Sequence, residues 1–425
     1  MKLQLLIPCF FLTFSVSYAQ QKTLTLTNPT PFPRTDNLIV LKRNELKSLF
    51  TKNNTKEYLT ITTDKGRPVI VQLDDLDHDG KWDEAVFLHS FKPKEKVVFV
   101  LSLSDHKLNK AVVRAHVRHR RKNADNTFAL AIDKDSIPAG QPNTDFSKVK
   151  LPPFLTEGPA WENDKVGFRL YFDVRNGKDI WGKTTSAMMM DTVGADLTKS
   201  YHHKSDWGMD IYKVGSSLSA GALAVSLKLK DGRDSLVRLG GKNMGKVIYE
   251  KVADGPLRAI FRMHYPEWKV QDGLPAIALT EEISIWGGQY FYESKVYLSK
   301  APAGTKLVTG FANLFGLEAG ELGMPRSRAY YSYGVQSENH DNLGLAIVAP
   351  PNNVDLFDKS GRDEKDIKDS YLVTFKAKPN MVPVTFRFYA AWEPTDERFK
   401  TKSGFTRFLT EETIAYEEKL IKVLK

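Results

Sequence analysis

The sequence predicts a mainly all-β fold, in which an N-terminal β-domain precedes a larger domain of two stacked antiparallel sheets and a short C-terminal helix. Predicted strand segments recur from residues 58–73 through residues 382–392, and residues 166–173 alternate between apolar and polar with the period of two that a strand requires. Turn residues such as Gly287-Gly288 separate these segments. Many antiparallel strands in one long chain favour large sheets packed face to face.

Residues 1–19 are typical of a secretory signal peptide. A positively charged start precedes a mostly apolar run over residues 5–16, and a small-x-small triplet ends at Ala19. Cys9 is the single cysteine of the chain and is a poor match to a lipoprotein site, so we assign it to the apolar run. The protein is therefore predicted to be exported, periplasmic or secreted, without disulfides and without a membrane span.

The remaining chain is predicted to divide into an N-terminal β-domain over residues 20–108 and a larger β-domain over residues 109–425. Short strands interrupted by prolines open the first domain, and a strand over residues 97–103 closes it. A succession of strands fills the second domain. Thr410 is expected to cap the final helix, because acidic residues follow it directly and lysines lie near the helix end.

The formal net charge of the chain is +10. A basic exported protein favours anionic partners such as acidic polysaccharide, a lipid surface or nucleic acid. The sequence contains no recognisable nucleic-acid module and no basic amphipathic helix, so an acidic oligosaccharide or polysaccharide is the predicted partner. The alternative is a charge that serves solubility alone, and the oligomeric state is left open.

An aspartate-rich loop follows the second predicted strand pair and matches the pattern D-x-D-x-D-G-x-x-D. Calcium takes six or more oxygen ligands, and Gly80 permits the sharp turn that brings them together. Val86 stands where an EF-hand has glutamate, and the flanking segments are predicted strands. The predicted ligands of one structural calcium ion are Asp75, Asp77, Asp79, Asp83 and the main-chain oxygen of Lys81. The alternative is a turn capped by its own aspartates; no organic cofactor is expected.

Polar and aromatic residues concentrate in residues 157–215, around which the predicted site is organised. Residues 166–173 alternate as a strand, so Arg169 and Tyr171 share the face opposite the core. Aromatic rings beside arginine, histidine and carboxylates suit a sugar cleft. The predicted catalytic residues are Arg169, Tyr171, Tyr201, His202 and His203. An ordinary strand pair with a polar outer face is the alternative.

The predicted substrate-binding residues combine this stretch with a basic stripe over residues 114–120. They are Trp161, Glu162, Trp207 and Asp210, together with Arg114 and His116 from the stripe. Guanidinium groups can hold carboxylates or sulfates through two hydrogen bonds. A solvated strand face remains the alternative for the stripe.

The segment DGPLRA at residues 254–259, followed by EEISIWGGQYFYES, is similar to the galactose-mutarotase-like β-supersandwich. More specific motifs are NPTPFPRTD, LDDLDHDGKWDEAVF, WENDKVGFRLY and YHHKSDWGMDIYKVG. With these motifs the chain resembles the bacterial family known as domain of unknown function 4861, over nearly all of the mature sequence. The resemblance implies a setting of polysaccharide utilisation and an oligosaccharide dehydratase step in the breakdown of ulvan, a sulfated uronate polymer. It supplies no catalytic residues.

These observations predict an enzyme that eliminates a group across C4 and C5 of a uronic acid. A terminal-uronate dehydratase would release water, and a polysaccharide lyase would cut the chain. Either reaction needs Arg169 to neutralise the substrate carboxylate and a histidine to act as base. Only one of His202 and His203 is expected to be that base, because neighbouring residues on a strand point in opposite directions. His116 is a second candidate base. The alternatives are a non-catalytic carbohydrate-binding protein and a glycosidase using Glu162 and Asp210.

Overall fold

The computed structural model describes residues 21–50, 57–106, 111–196, 198–228 and 232–425. The predicted signal peptide, including Cys9, lies outside the described residues. Within the described part of the chain, no helix combines the length and the apolar character that a membrane span needs.

The strands of the described residues are numbered in chain order. The first are β1 (Lys22–Thr27), β2 (Arg34–Lys42), β3 (Tyr58–Thr63), β4 (Pro68–Val69), β5 (Gln72–Asp74), β6 (Glu84–Phe91) and β7 (Lys96–Ser104). Then come β8 (Ala115–Arg118), β9 (Lys134–Ile137), β10 (Ala160–Asn163), β11 (Val166–Leu170), β12 (Lys178–Lys183), β13 (Gly208–Asp210), β14 (Ala220–Lys228) and β15 (Asp234–Arg238). The remainder are β16 (Val247–Asp254), β17 (Arg258–Trp268), β18 (Ile277–Trp286), β19 (Phe291–Ser299), β20 (Lys306–Ala312), β21 (Gly320–Gly323), β22 (Arg328–Val335), β23 (Asn342–Ala349), β24 (Val354–Ser360), β25 (Ser370–Phe375), β26 (Val384–Trp392) and β27 (Ile421–Leu424).

Where the structure describes the chain, helical structure is limited to one α-helix, α1 (Lys402–Glu417), and short 3-10 turns. The 3-10 turns span Arg43–Leu49, Leu155–Glu157, Gly241–Asn243, Glu393–Thr395 and Glu397–Lys400.

The N-terminal strands form two sheets that enclose a core of their own. One has the order β27-β1-β7-β3-β4 and the other β2-β6-β5. Alternate residues such as Leu24 and Leu26 of β1 and Ile39 and Leu41 of β2 point into this core. The last strand, β27, pairs antiparallel with β1, so the chain end returns to the first sheet. The boundaries 20–108 and 109–425 remain a prediction.

A nine-stranded antiparallel sheet forms the centre of the larger part. Its order is β21-β22-β23-β26-β19-β18-β17-β16-β9. Period-2 alternation gives it two apolar faces: Phe386 and Phe388 of β26 lie on the inner face, and Tyr389 and Ala391 on the outer face.

Two five-stranded sheets cover the inner face. The sheet β13-β12-β11-β10-β8 contributes Phe168 and Ile180 to the shared core, and the sheet β15-β14-β20-β25-β24 contributes Leu223 and Val225. The mainly all-β class, with an N-terminal β-domain, a galactose-mutarotase-like β-supersandwich and a short C-terminal helix, is thereby confirmed.

The outer face of the nine-stranded sheet packs against α1. Phe405, Phe408 and Leu409 of the helix are buried there. The helix begins earlier than predicted, because Thr401 is its N-cap and accepts a hydrogen bond from the Gly404 N–H at 3.1 Å. Thr410 lies inside the helix, so the assignment of Thr410 as the cap is wrong.

An ion pair joins the two layers of the supersandwich within the core. The Lys178 ammonium of β12 lies 2.6 Å from Oε1 of Glu281 on β18, and both side chains are 1% exposed. Lys178 also donates to the Gly221 carbonyl at 2.9 Å, and the Ser294 hydroxyl donates to Glu281 at 2.6 Å. Burial lowers the pKa of Lys178. Charges this deep persist because each is fully paired.

Replacing Lys178 by Met is expected to lower the free energy of unfolding by roughly 3–5 kcal/mol, because Glu281 would stay buried without its cation. The double variant Lys178→Met/Glu281→Leu should lose much less, since apolar groups would fill the same space. Urea unfolding curves of the wild type and both variants check this. A double variant as unstable as the single one would contradict the explanation.

Candidate active site

The polar residues of the central stretch share one face of the sheet β13-β12-β11-β10-β8. Cross-strand pairing places Arg118, Arg169 and Asp179 in one row, with Ala160 between the two arginines. The next row holds His116, Glu162, Gly167, Trp181 and Asp210. The opposite face of the same strands enters the core, so side-chain parity separates the two environments.

Two irregular segments cover this polar face, one over residues 154–159 and the other over residues 184–196 and 198–207. Arg118 fastens both of them, because its guanidinium donates to the carbonyls of Leu155 and Gly158 at 2.9 Å each and to that of Met190 at 2.8 Å. Complete burial lowers the pKa of Arg118 to about 9. The cover is therefore hydrogen-bonded to the sheet beneath it.

Glu162 and Lys183 form a second anchor for the cover. Oε1 of Glu162 accepts the N–H groups of Met189 and Met190 at 2.7 Å each, and Oε2 pairs with the Lys183 ammonium. Lys183 also donates to the Ala187 carbonyl at 2.7 Å. Both side chains are 0% exposed. Glu162 thus binds the protein's own backbone, which corrects its assignment to sugar binding and to a glycosidase pair.

The Arg169 guanidinium is the centre of a buried network. Nη2 donates to Oδ2 of Asp179 at 2.7 Å, to Oδ2 of Asp210 at 2.8 Å and to the Tyr171 hydroxyl at 2.9 Å. Nη1 lies 3.8 Å from a Glu157 oxygen. The side chain of Arg169 is 3% exposed. Its predicted direct contact with a substrate carboxylate is therefore wrong, since three internal carboxylates already surround it.

Titration in this network follows from burial and from charges of the same sign. Burial, reinforced by the charge of Asp179, raises the pKa of Asp210 well above its usual range. Burial also raises the pKa values of Tyr171 and Tyr201. Oδ1 of Asp210 is buried and has no hydrogen-bond partner among the described residues.

His202 is where the network reaches the surface. Its side chain is 63% exposed, and Nδ1 lies 3.5 Å from Oδ2 of Asp210. The imidazole packs on the Tyr201 ring with centroids 4.4 Å apart. Partial desolvation and the charge of Arg169 lower the pKa of His202. His203 and Lys204 follow as exposed residues. We call this region, from Tyr201 to Lys204 above Asp210, the His202 mouth.

The tryptophans of the stretch have different environments. Trp161 is 0% exposed and packs on Phe168 in the core, so its assignment as a sugar-stacking surface is wrong. Its strand parity is that of Phe168, not that of Arg169. Trp181 lies over the Arg169 guanidinium at 4.8 Å, and half-buried Trp207 packs against Trp181 at 6.0 Å.

A strained turn borders the network. Thr156 and Glu157 have φ values of 50° and 67°, and Gly158 follows at 157°. A Cβ on Gly158 would clash with the Leu170 carbonyl oxygen. Non-glycine residues hold such conformations only where the surroundings impose them. Glu157 accepts from Arg175 at 2.6 Å. The sequence does not predict Glu157, Arg175 and Asp179 as residues of this network, because the loop contacts and strand register that bring them there leave no local pattern in the sequence.

Arg114 and His116 do not join the network. Arg114 pairs with Asp36 at 2.7 Å and with Asp164 at 2.7 Å, which links the N-terminal β-domain to the supersandwich. His116 lies between Asp254 at 2.8 Å and Asp191 at 3.1 Å, and these carboxylates raise its pKa to about 9 although burial opposes the shift. Neither residue is placed to contact a substrate in the His202 mouth.

The aspartate loop lies between β5 and β6. Carboxylate oxygens of Asp75, Asp77 and Asp83 come within 4.8 Å of one another, a spacing that suits a cation with oxygen ligands. Asp79 is outside this group, and its Oδ1 accepts the Lys81 N–H at 2.7 Å. Asp75 accepts the Gly80 N–H at 2.8 Å. The loop therefore combines a cluster of carboxylates with a turn whose N–H groups are capped by its own aspartates, the two alternatives that the sequence predicts.

Two solved structures from Enterococcus faecalis share the fold: an alpha-mannosidase from strain V583 and a protein of glycosyl hydrolase family 38. Each has a TM-score of 0.51 and 10% identity over 95% of this chain, which spans 46% and 47% of their lengths. The chain thus matches about half of each, and the likeness concerns the fold alone. An uncharacterized protein P7 from Formosa agariphila is 22% identical over 421 residues, covering 95% of this chain and 92% of P7. The family described as domain of unknown function, DUF4861, matches residues 26–421, and the chain belongs to this family.

Proposed function

We propose that this protein is a carbohydrate-active enzyme that removes water across C4 and C5 of a terminal uronic acid in an acidic oligosaccharide, as in ulvan breakdown. The observation that carries the proposal is the convergence of histidine, tyrosine and arginine at the His202 mouth. His202 lies 3.5 Å from Asp210, which accepts from Arg169 at 2.8 Å, and Tyr201 packs directly on the imidazole. Proton-transfer groups and their orienting partners are thus within reach of one another.

His202 is the proposed base. Its lowered pKa leaves the imidazole neutral near pH 7, so it can accept the C5 proton. Asp210 can hold the Nδ1 proton, which presents Nε2 to the substrate. Asp210, with Oδ2 at 3.5 Å from Nδ1, would stabilise the imidazolium as it forms. Arg169 fixes the position of Asp210.

Tyr201 is the proposed acid. Burial raises the pKa of Tyr201 and keeps the phenol protonated, and the Arg169 charge, with Nη1 at 3.5 Å from the hydroxyl, favours release of that proton to the C4 hydroxyl as it departs. The base gains the C5 proton, the acid supplies one to the leaving hydroxyl, and water and a C4–C5 double bond result. Since Arg169 is enclosed, exposed Lys204 is the cation assigned to the substrate carboxylate. The mannosidases of similar fold support a carbohydrate substrate.

Other functions fit the geometry less well. A carbohydrate-binding module would present exposed aromatic rings, whereas Trp161 and Trp181 are 0% exposed. A glycosidase needs two opposed free carboxylates, whereas Glu162 is paired with Lys183 beneath the cover. A lyase would use the same proton transfers, and the product distinguishes the two: a dehydratase product is lighter by one water, and a lyase cuts the chain.

Replacing His202 by Gln is expected to lower turnover of an acidic oligosaccharide about a hundredfold to ten-thousandfold, which is the usual worth of general-base help. His203→Gln, at the neighbouring position, should lose far less. Appearance of unsaturated uronate absorbance and mass spectrometry of the product measure the rates. The kcat/KM of the wild type should also fall on acidification, with its midpoint below the ordinary histidine pKa of about 6.5. Full activity in His202→Gln would exclude His202 as the base.

We also propose that the protein is exported after cleavage behind Ala19, as the N-terminal pattern indicates. Mass spectrometry of the mature protein should find Gln20 at its start. A retained Met1, or a lipid on Cys9, would overturn this.

We further propose a structural calcium ion in the aspartate loop, because three carboxylates there lie close enough to share one cation. Metal that binds the folded state alone stabilises it. Chelator should therefore lower the Tm and added calcium restore it, whereas Asp77→Asn should show a lower Tm that calcium no longer raises. An unchanged Tm in chelator, with no calcium in elemental analysis, would rule the site out.

A further inference from the structure

A second cleft lies at the junction of the N-terminal β-domain and the nine-stranded sheet. It encloses about 1040 Å³. The end of β2 and the following 3-10 turn supply Lys42, Arg43, Lys47 and Phe50, the aspartate loop supplies Asp77, and β17 supplies Arg262. These residues belong to strands and turns other than those of the His202 mouth, so the cleft is a separate place in the fold.

The two guanidinium groups of the cleft are held in place by the protein. The Arg43 guanidinium lies 4.6 Å from the Phe50 ring and 4.9 Å from the Trp82 ring. Arg262 donates to Glu282 at 2.9 Å and to the Leu76 carbonyl at 3.2 Å. A planar cation resting on aromatic rings gives a flat, polar surface of the kind on which sugars pack.

The two lysines are different, because they are exposed cations that form no ion pair within the described part of the chain. Lys42 and Lys47 are exposed, and neither forms an ion pair with a carboxylate among the described residues. Of the three carboxylates that line the cleft, Asp77 belongs to the aspartate loop and the other two are occupied. Glu84 pairs with Arg258 at 2.8 Å, and Asp83 accepts the Leu76 N–H at 2.8 Å. The available charge in the cleft is therefore positive.

We propose that this cleft binds a second segment of an acidic oligosaccharide, one that carries carboxylate or sulfate groups, away from the reacting residue. The lysines meet the anionic groups, and the Arg43 and Phe50 planes pack on sugar rings. The inference rests on the acidic substrate class of the proposed function. Binding in the cleft holds the polymer on the enzyme and leaves the chemistry at the His202 mouth unchanged.

The test is the double variant Lys42→Ala/Lys47→Ala, compared with the wild type at one fixed, low calcium concentration so that the aspartate loop keeps its proposed ion. Exposed lysines can be removed with little effect on folding. The control is Lys242→Ala/Lys246→Ala, which removes the same charge at two exposed lysines elsewhere. Binding to alginate, dextran sulfate and neutral dextran is measured by affinity electrophoresis. Alginate carries carboxylates and dextran sulfate carries sulfates, so the two polymers distinguish recognition of the two anionic groups.

The cleft variant should bind an anionic polymer at least about tenfold more weakly than the wild type, since two charge-assisted contacts are lost. The control should stay within about twofold, and neutral dextran should bind none of the proteins measurably. Unchanged affinity in the cleft variant, or an equal loss in the control, would overturn the proposal. Turnover of a short acidic oligosaccharide tests the His202 mouth independently. If the wild type turned over no oligosaccharide but the cleft variant still lost polymer binding, the proposal for the cleft would stand and the proposed enzyme activity would be wrong.

Discussion

The buried charge of Arg169 is the constraint on which the polar face of the β13-β12-β11-β10-β8 sheet depends. A guanidinium at this depth is tolerated because Asp179, Asp210 and Glu157 surround it and Tyr171 completes its hydrogen bonds. Removing any one carboxylate would leave part of that charge uncompensated. The ion pair with Asp210 that stabilises the buried Arg169 guanidinium also fixes Asp210 beside His202. Stability and the proposed proton transfer therefore depend on the same contacts.

The cover over this sheet follows from the same physics. A polar sheet face in a sandwich normally remains in water, yet here residues 154–159, 184–196 and 198–207 enclose it. Arg118, Glu162 and Lys183 make that possible, because their hydrogen bonds satisfy backbone groups of the cover that would otherwise be buried unpaired. The left-handed conformations of Thr156 and Glu157 are the local cost, held by Arg118 through its bonds to this turn.

Much of the fold could be predicted because period-2 alternation is a local signal that survives without knowledge of the partner strands. Parity also placed Arg169 and Tyr171 together on one face correctly. The same rule, applied across the β10–β11 pair, would have put Trp161 in the core with Phe168, but it requires the register, which only the three-dimensional pairing supplies. Asp179 and Glu157 could not be predicted as site residues for the same reason. Glu162 was a candidate for sugar binding, but in the folded protein it is buried and accepts hydrogen bonds from backbone N–H groups.

The position of Arg169 changes how an anionic substrate could be held. A uronate carboxylate brought directly to Arg169 would have to displace Asp179 or Asp210, each of which is already desolvated and optimally placed at 2.7 or 2.8 Å. Displacing either would leave a carboxylate unpaired in a low-dielectric interior. The free energy lost in this way exceeds the free energy gained from a new ion pair with the substrate. Recognition of the carboxylate therefore belongs to cations that are still solvated, such as Lys204 at the mouth, whereas Arg169 acts on the reaction only through Asp210 and the tyrosines that it orients.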